Sequence, residues 1–116
     1  MTSSRMRRVD EVIRAVLSDT LARGLKDPRI GFVTVTDVST SPDLRHARVY
    51  VSVLGDDAAR AASLEGLHSA RGFLQSAINA ELRLKRTPEL HFIDDETVRR
   101  AARLEELLVD EEQGPA

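Results

Sequence analysis

The sequence predicts an α+β fold in which a three-stranded sheet carries helices on one face. Three observations predict it: a helical period over the first two dozen residues, two valine-rich runs of period two separated by a proline turn, and a second long helical period followed by one more short apolar run. A chain of 116 residues suits one domain over residues 1–116, with its core at about 5–94 and an acidic helix and tail at about 95–116.

Met6, Val9, Ile13, Val16, Leu17, Thr20 and Leu21 recur at spacings of three and four, predicting a helix from about Ser4 to Arg23 that Gly24 caps. Pro28 biases Asp27 towards extended backbone, so the chain redirects before Gly31. Val33 and Val35 then alternate with Thr34 and Thr36, and the run continues less cleanly through Val38. Ser41, Pro42 and Asp43 form a tight turn, because proline presets its dihedral while Ser and Asp bond nearby amides. In the second strand Ala47, Val49, Val51 and Val53 face one way and His46, Arg48, Tyr50 and Ser52 the other. The two strands make an antiparallel hairpin with one core face and one open face.

Asp56 and Asp57 mark a helix start, and Leu64, Leu67, Leu74, Ile78 and Leu82 keep a helical period beyond it. Gly72 interrupts this stretch at a cost of about 1 kcal/mol relative to alanine, which predicts a kink at Ala70–Gly72. Leu90 to Ile93 read as a third strand, parallel to the second if the two are neighbours. Asp94 and Asp95 cap a last helix carrying Val98, Ala101, Leu104, Leu107 and Leu108, before residues 113–116 fray into disorder.

Composition narrows function. Hydrophobic residues make up 41% and charged residues 31%, typical of a chain that folds by itself. Cysteine is absent, which excludes disulfides and thiolate metal sites. No segment has the apolar run of a signal or a membrane span, so a cytoplasmic protein is expected. The formal charge of -2 is unevenly divided: Asp94 to Glu112 holds eight acids and three bases, leaving 14 bases and 11 acids before it. His46, His68 and His91 stand isolated in sequence, and the glycines form no phosphate loop. No enzymatic activity, no cofactor and no metal are expected.

Several features together resemble the ribosome-binding factor A family. They are Arg8 and Val9 in the first helix, DPRIG from Asp27 to Gly31, VTVTDV from Val33 to Val38, SPDL from Ser41 to Leu44, and ARVYVSVLG from Ala47 to Gly55. The resemblance implies a KH-like type II domain with the order α-β-β-α(kinked)-α-β and an additional C-terminal helix. An ordinary KH domain approaches phosphates through a GxxG loop. This chain has none, and the family's Ala-x-Gly kink maps onto Ala70, Arg71 and Gly72. The resemblance further implies a non-catalytic factor that binds free small (30S) ribosomal subunits and promotes late processing of 16S rRNA. Contact near the 5′ end helix of that RNA, small-subunit ribosomal proteins and an assembly GTPase as partners, and a role in cold adaptation complete what it implies; a monomer is expected separately, because no long apolar surface stripe is left unassigned.

The candidate RNA-binding residues are Arg5, Arg7, Arg8 and Arg14 on the first helix, Arg29 after Pro28, Arg45, His46, Arg48 and Tyr50 on strand two, Arg71 at the kink, and Arg83, Lys85 and Arg86 before Pro88. Each has a plain counterpart. Arg7, Glu11 and Arg14 can pair along the helix, a polar strand face can simply be solvated, and basic loops usually are. Phe73 and Phe92 are expected in the core, which leaves too few aromatics for a base-stacking platform. A protein-interaction module using the open strand face or the acidic helix is the alternative. An RNA-processing enzyme would need a catalytic constellation that the sequence lacks.

Overall fold

The computed structural model describes residues 3–112. Helix α1 spans Ser4–Arg23. Its first turn is capped by the Ser3 hydroxyl, which accepts the Met6 N–H at 3.1 Å. Its last turn closes at Gly24, whose φ of 85° is free of strain only for glycine and whose N–H donates to the Leu21 carbonyl at 3.1 Å. Val9, Ile13 and Leu17 form its buried stripe.

Strands β1 (Val33–Thr40) and β2 (His46–Val53) pair antiparallel. Between Val35 and Asp37 the register slips: β1 advances two residues while β2 advances one, so Thr36 is a bulge. This explains the unclean alternation. Were every residue of β1 paired in turn, Asp37 would follow Val35 into the core; with Thr36 bulged, Val35, Val38 and Thr40 all face inward. Thr36 compensates by donating its hydroxyl to the Tyr50 carbonyl at 3.2 Å. The turn is stabilised by the Leu44 N–H donating to the Ser41 carbonyl at 2.9 Å and by Asp43 Oδ1, which accepts from the Ser41 hydroxyl and the Arg45 N–H.

Helix α2 (Asp57–Ser69) begins at Asp56, whose carboxylate accepts the Ala59 N–H at 2.8 Å. It breaks at Ala70, where ψ reaches 1°, and resumes as α3 (Arg71–Leu82). Gly72 lies inside the first turn of α3, and a Cβ there would meet nothing within 4 Å. The pivot is therefore Ala70. The buried glycine of this region is Gly66, where a Cβ would lie 2.6 Å from the Ile30 side chain, so the loop after α1 can press directly against α2.

Strand β3 (Glu89–Asp94) lies parallel to β2, giving the order β1-β2-β3. Helices α1, α2 and α3 contribute Ile13, Leu17, Leu67, Leu74 and Ile78 to one core with Val49, Val51 and Leu90 of the sheet. Truncating any of the larger ones to alanine costs about 2–5 kcal/mol.

Helix α4 (Asp95–Glu112) departs from expectation. Its apolar stripe does not pack: Val98 is 42%, Leu104 58%, Leu107 62% and Leu108 52% exposed. Its base is held by polar contacts instead. Asp94 Oδ1 accepts the Glu96 N–H at 3.0 Å, Arg60 Nε lies 3.4 Å from Asp94 Oδ2, and Arg100 reaches Asp57 and Glu96 at 3.5 and 3.4 Å. The radius of gyration, 16.5 Å against about 13 Å for a compact chain of this length, fits a projecting helix. The expected fraying of 113–116 lies outside the described residues. No described helix is long and apolar enough to cross a membrane.

Candidate nucleic-acid interface

The sheet register gives the molecule two ends. At one lie the start of α1, the β1–β2 turn and the start of β3; at the other lie the start of β1, the end of β2 and the start of α4. At the first end Asp10 of α1 accepts both the N–H and the hydroxyl of buried Thr40, fixing the helix against the end of β1. The Glu89 N–H, donating to the Arg45 carbonyl at 2.8 Å, fixes β3 against the turn.

Arg5, Arg45, Lys85 and Arg86 consequently line one shallow cleft of about 370 Å³ with Pro42, Asp43, Leu44 and Leu84. Among the described residues, none of these four cations has an ion-pair partner within 4.0 Å. Asp43 is the cleft's carboxylate, and its pKa is held below the ordinary range by the Ser41 hydroxyl and then by the Arg45 N–H. Backbone strain gathers here as well. Leu44 (φ 59°) and Arg83 (φ 53°) are the non-glycine residues with left-handed backbone among those described, one lining the cleft and the other next to Leu84, which does. Such conformations cost roughly 1–3 kcal/mol each and concentrate at functional sites.

The other candidates are placed differently. Arg7 and Arg14 line a separate hollow with Asp10, Glu11 and Asp37, and the helical pairing of Arg7, Glu11 and Arg14 is absent among the described residues. Arg8 is exposed on α1. Arg48 and Tyr50 sit on the outer sheet face beside His91 and Ile93 of β3. Arg29 belongs to the opposite end: its guanidinium lies 2.6 Å from Asp27 and 3.3 Å from Glu65. Hydrogen bonds from the Arg29 side chain, then from its N–H, push the Asp27 pKa down to about 2. Arg71 leaves the α2–α3 junction to reach Glu89 Oε1 at 3.0 Å.

Two expectations need correction. Phe73 is 64% exposed, because Leu74 and Ile78 occupy the inward positions of α3; it lines a groove between α1 and α3 with Val16, Leu25 and Ala77. Phe32 is exposed too, so aromatic surface exists, but Tyr50 is the aromatic on the outer sheet face. The histidines are not all isolated: β2–β3 pairing brings His46 and His91 to 3.0 Å, with Glu89 beside them. Sequence reasoning passes over Glu89 and Asp10 as well. Glu89 and His91 do alternate with buried Leu90 and Phe92, a signal that places them on the open face once the strand's neighbour is known.

The sequence profile of ribosome-binding factor A matches residues 5–108, almost the whole chain. This chain belongs to the ribosome-binding factor A family. A ribosome-binding factor A from Anaeromyxobacter sp. (strain K) is 54% identical over 108 residues, covering 92% of this chain and 78% of that protein. The crystal structure of ribosome-binding factor A from Thermus thermophilus superposes with a TM-score of 0.67 at 26% identity, covering 77% of this chain and 93% of that one. A second Thermus thermophilus structure, a homology model fitted into the cryo-electron microscopy map of a 30S–RbfA complex, superposes with a TM-score of 0.58 at 25% identity over 78% and 91% of the two chains.

Proposed function

We propose that this chain is a non-catalytic cytoplasmic assembly factor that binds the small ribosomal subunit through its RNA, with the Arg5–Arg45–Lys85–Arg86 cleft as the main phosphate contact, and that it promotes late maturation of 16S rRNA. The observation that carries the reading is the convergence of three separate chain segments on one cluster of unpaired cations. Unpaired cations cost little to bring against phosphate, whereas a cation already bound to a carboxylate must first give that partner up. Arg7, Arg8, Arg14 and Arg48 extend the basic surface, and family membership supplies the target. Contact near the 5′ end helix of the RNA, cooperation with ribosomal proteins and an assembly GTPase, and a role in cold adaptation belong to the same proposal.

The test is sedimentation of this protein with free small subunits over a salt series. Phosphate-driven association should weaken steeply as salt rises. Recovery only in ribosome-free fractions at low salt would refute the reading. Exposed Val98, Leu104, Leu107 and Leu108 favour a second one, in which α4 docks a protein partner. Association that is insensitive to salt and is lost when those residues become polar would favour it.

A further inference from the structure

His46 is more than forty residues from Glu89 and His91 in sequence, yet the three share one patch of the outer sheet face. His46 is the register partner of Glu89 in the parallel β2–β3 pair, and His91 follows two residues later on the same side. The facing atoms are His46 Nδ1, His91 Nε2 and Glu89 Oε2. The two nitrogens are 3.0 Å apart, and the oxygen lies 3.7 Å from the first and 4.0 Å from the second. A point equidistant from the three lies about 2.1 Å from each, within the usual span of zinc–imidazole and zinc–carboxylate bonds.

We propose that His46, Glu89 and His91 form a binding site for a divalent transition ion of the zinc class. Two imidazoles and one carboxylate are a donor set that suits Zn²⁺, Co²⁺ or Ni²⁺ better than Mg²⁺ or Ca²⁺, which prefer all-oxygen ligands. Nitrogens this close imply that one ring donates an N–H to the lone pair of the other. Moving that proton to the donor ring's second nitrogen frees both lone pairs for the ion while both rings stay neutral. Glu89 is oriented from outside the site: its other oxygen, Oε1, accepts from Arg71 Nη1 at 3.0 Å, which leaves Oε2 for the metal. The site is partly exposed, with water as the remaining ligand, and Arg71, together with Arg45 just before β2 and Arg48 within it, opposes the ion's charge. The site does not depend on the RNA-binding reading.

The experiment is calorimetric titration of the metal-free full chain with Zn²⁺ and then Co²⁺, without RNA, alongside histidine ring NMR. The proposal expects one ion per chain, ring shifts at His46 and His91, and at least tenfold weaker binding in His46→Ala and in His91→Ala. His68→Ala, outside the cluster, should bind as the parent does. Both ligand histidines are at least partly exposed, so these variants should keep the parent's metal-free melting temperature. Wild-type binding no tighter than that of the His46→Ala/His91→Ala double variant, or ring shifts centred on His68, would overturn it.

Discussion

The two ends of the sheet hold similar numbers of arginines in different states. At the end formed by the α1 start, the hairpin turn and the loop before β3, Arg5, Arg45 and Arg86 stand without carboxylate partners. At the other, Arg29 is bound by Asp27 and Glu65, and Arg60 by Asp57 and Asp94, while Arg100 reaches Asp57 and Glu96. One end spends its charge on folding, and the other, apart from Arg71 bound to Glu89, keeps it available. Counting basic residues cannot separate the two states; only the placement of acids can.

Four experiments sharpen or break this contrast. Reversing charge at Arg5, Arg45, Lys85 and Arg86 together should lower affinity for small subunits about a hundredfold at low salt, since several phosphate contacts are lost at once. The urea midpoint should be unchanged, and an equal loss from Arg29→Glu alone would dissolve the distinction between the ends. Asp94→Ala should do the reverse. It removes the cap of α4 and a largely buried partner of Arg60, costing about 2 kcal/mol in denaturant unfolding with subunit binding intact.

Arg83→Gly should raise stability by about 1 kcal/mol, because glycine occupies the left-handed backbone of that cap without penalty. Binding should weaken in the same variant; a loss of stability would show that Arg83 makes native contacts that outweigh its strain. The smallest effect concerns Asp27. Its folded pKa, about 2, lies below the unfolded value near 3.9, so its contribution is present above pH 4 and fades as pH falls through 2. Asp27→Asn should flatten that part of the acid-unfolding curve, and an unaltered curve would show that the Arg29 contact contributes nothing.

The fold is largely legible in the sequence because its signals are local. The alternation of Ala47, Val49, Val51 and Val53 fixes both the strand and its buried face, and Asp56 announces the helix it caps. Errors arise where neighbouring residues differ by direction alone. Phe73 and Leu74 are equally apolar, but a step of about 100° around the helix sends the first to solvent and the second to the core. The kink falls within the expected Ala70–Gly72, with the backbone turning at Ala70 beside the glycine that signals it. For α4 the stripe is real, but no element lies opposite it among those described. The candidate interface is the least legible part, since whether a cation is free depends on acids distant in sequence. Glu65 is 36 residues from Arg29, and Glu89 is 18 from Arg71.

The bulge gives the hairpin one spare link. Removing Thr36 would join Val35 to Asp37 and leave a strand of strict alternation, in which Val35, Val38 and Thr40 still face inward and every β2 partner is kept. Removing Ser39 instead would put Val38 and Thr40 side by side, and only one of them could then point to the core. A chain lacking Thr36 should therefore melt far above one lacking Ser39. Of the two positions, only the bulge lets this strand shorten without reversing the faces of the residues beyond it.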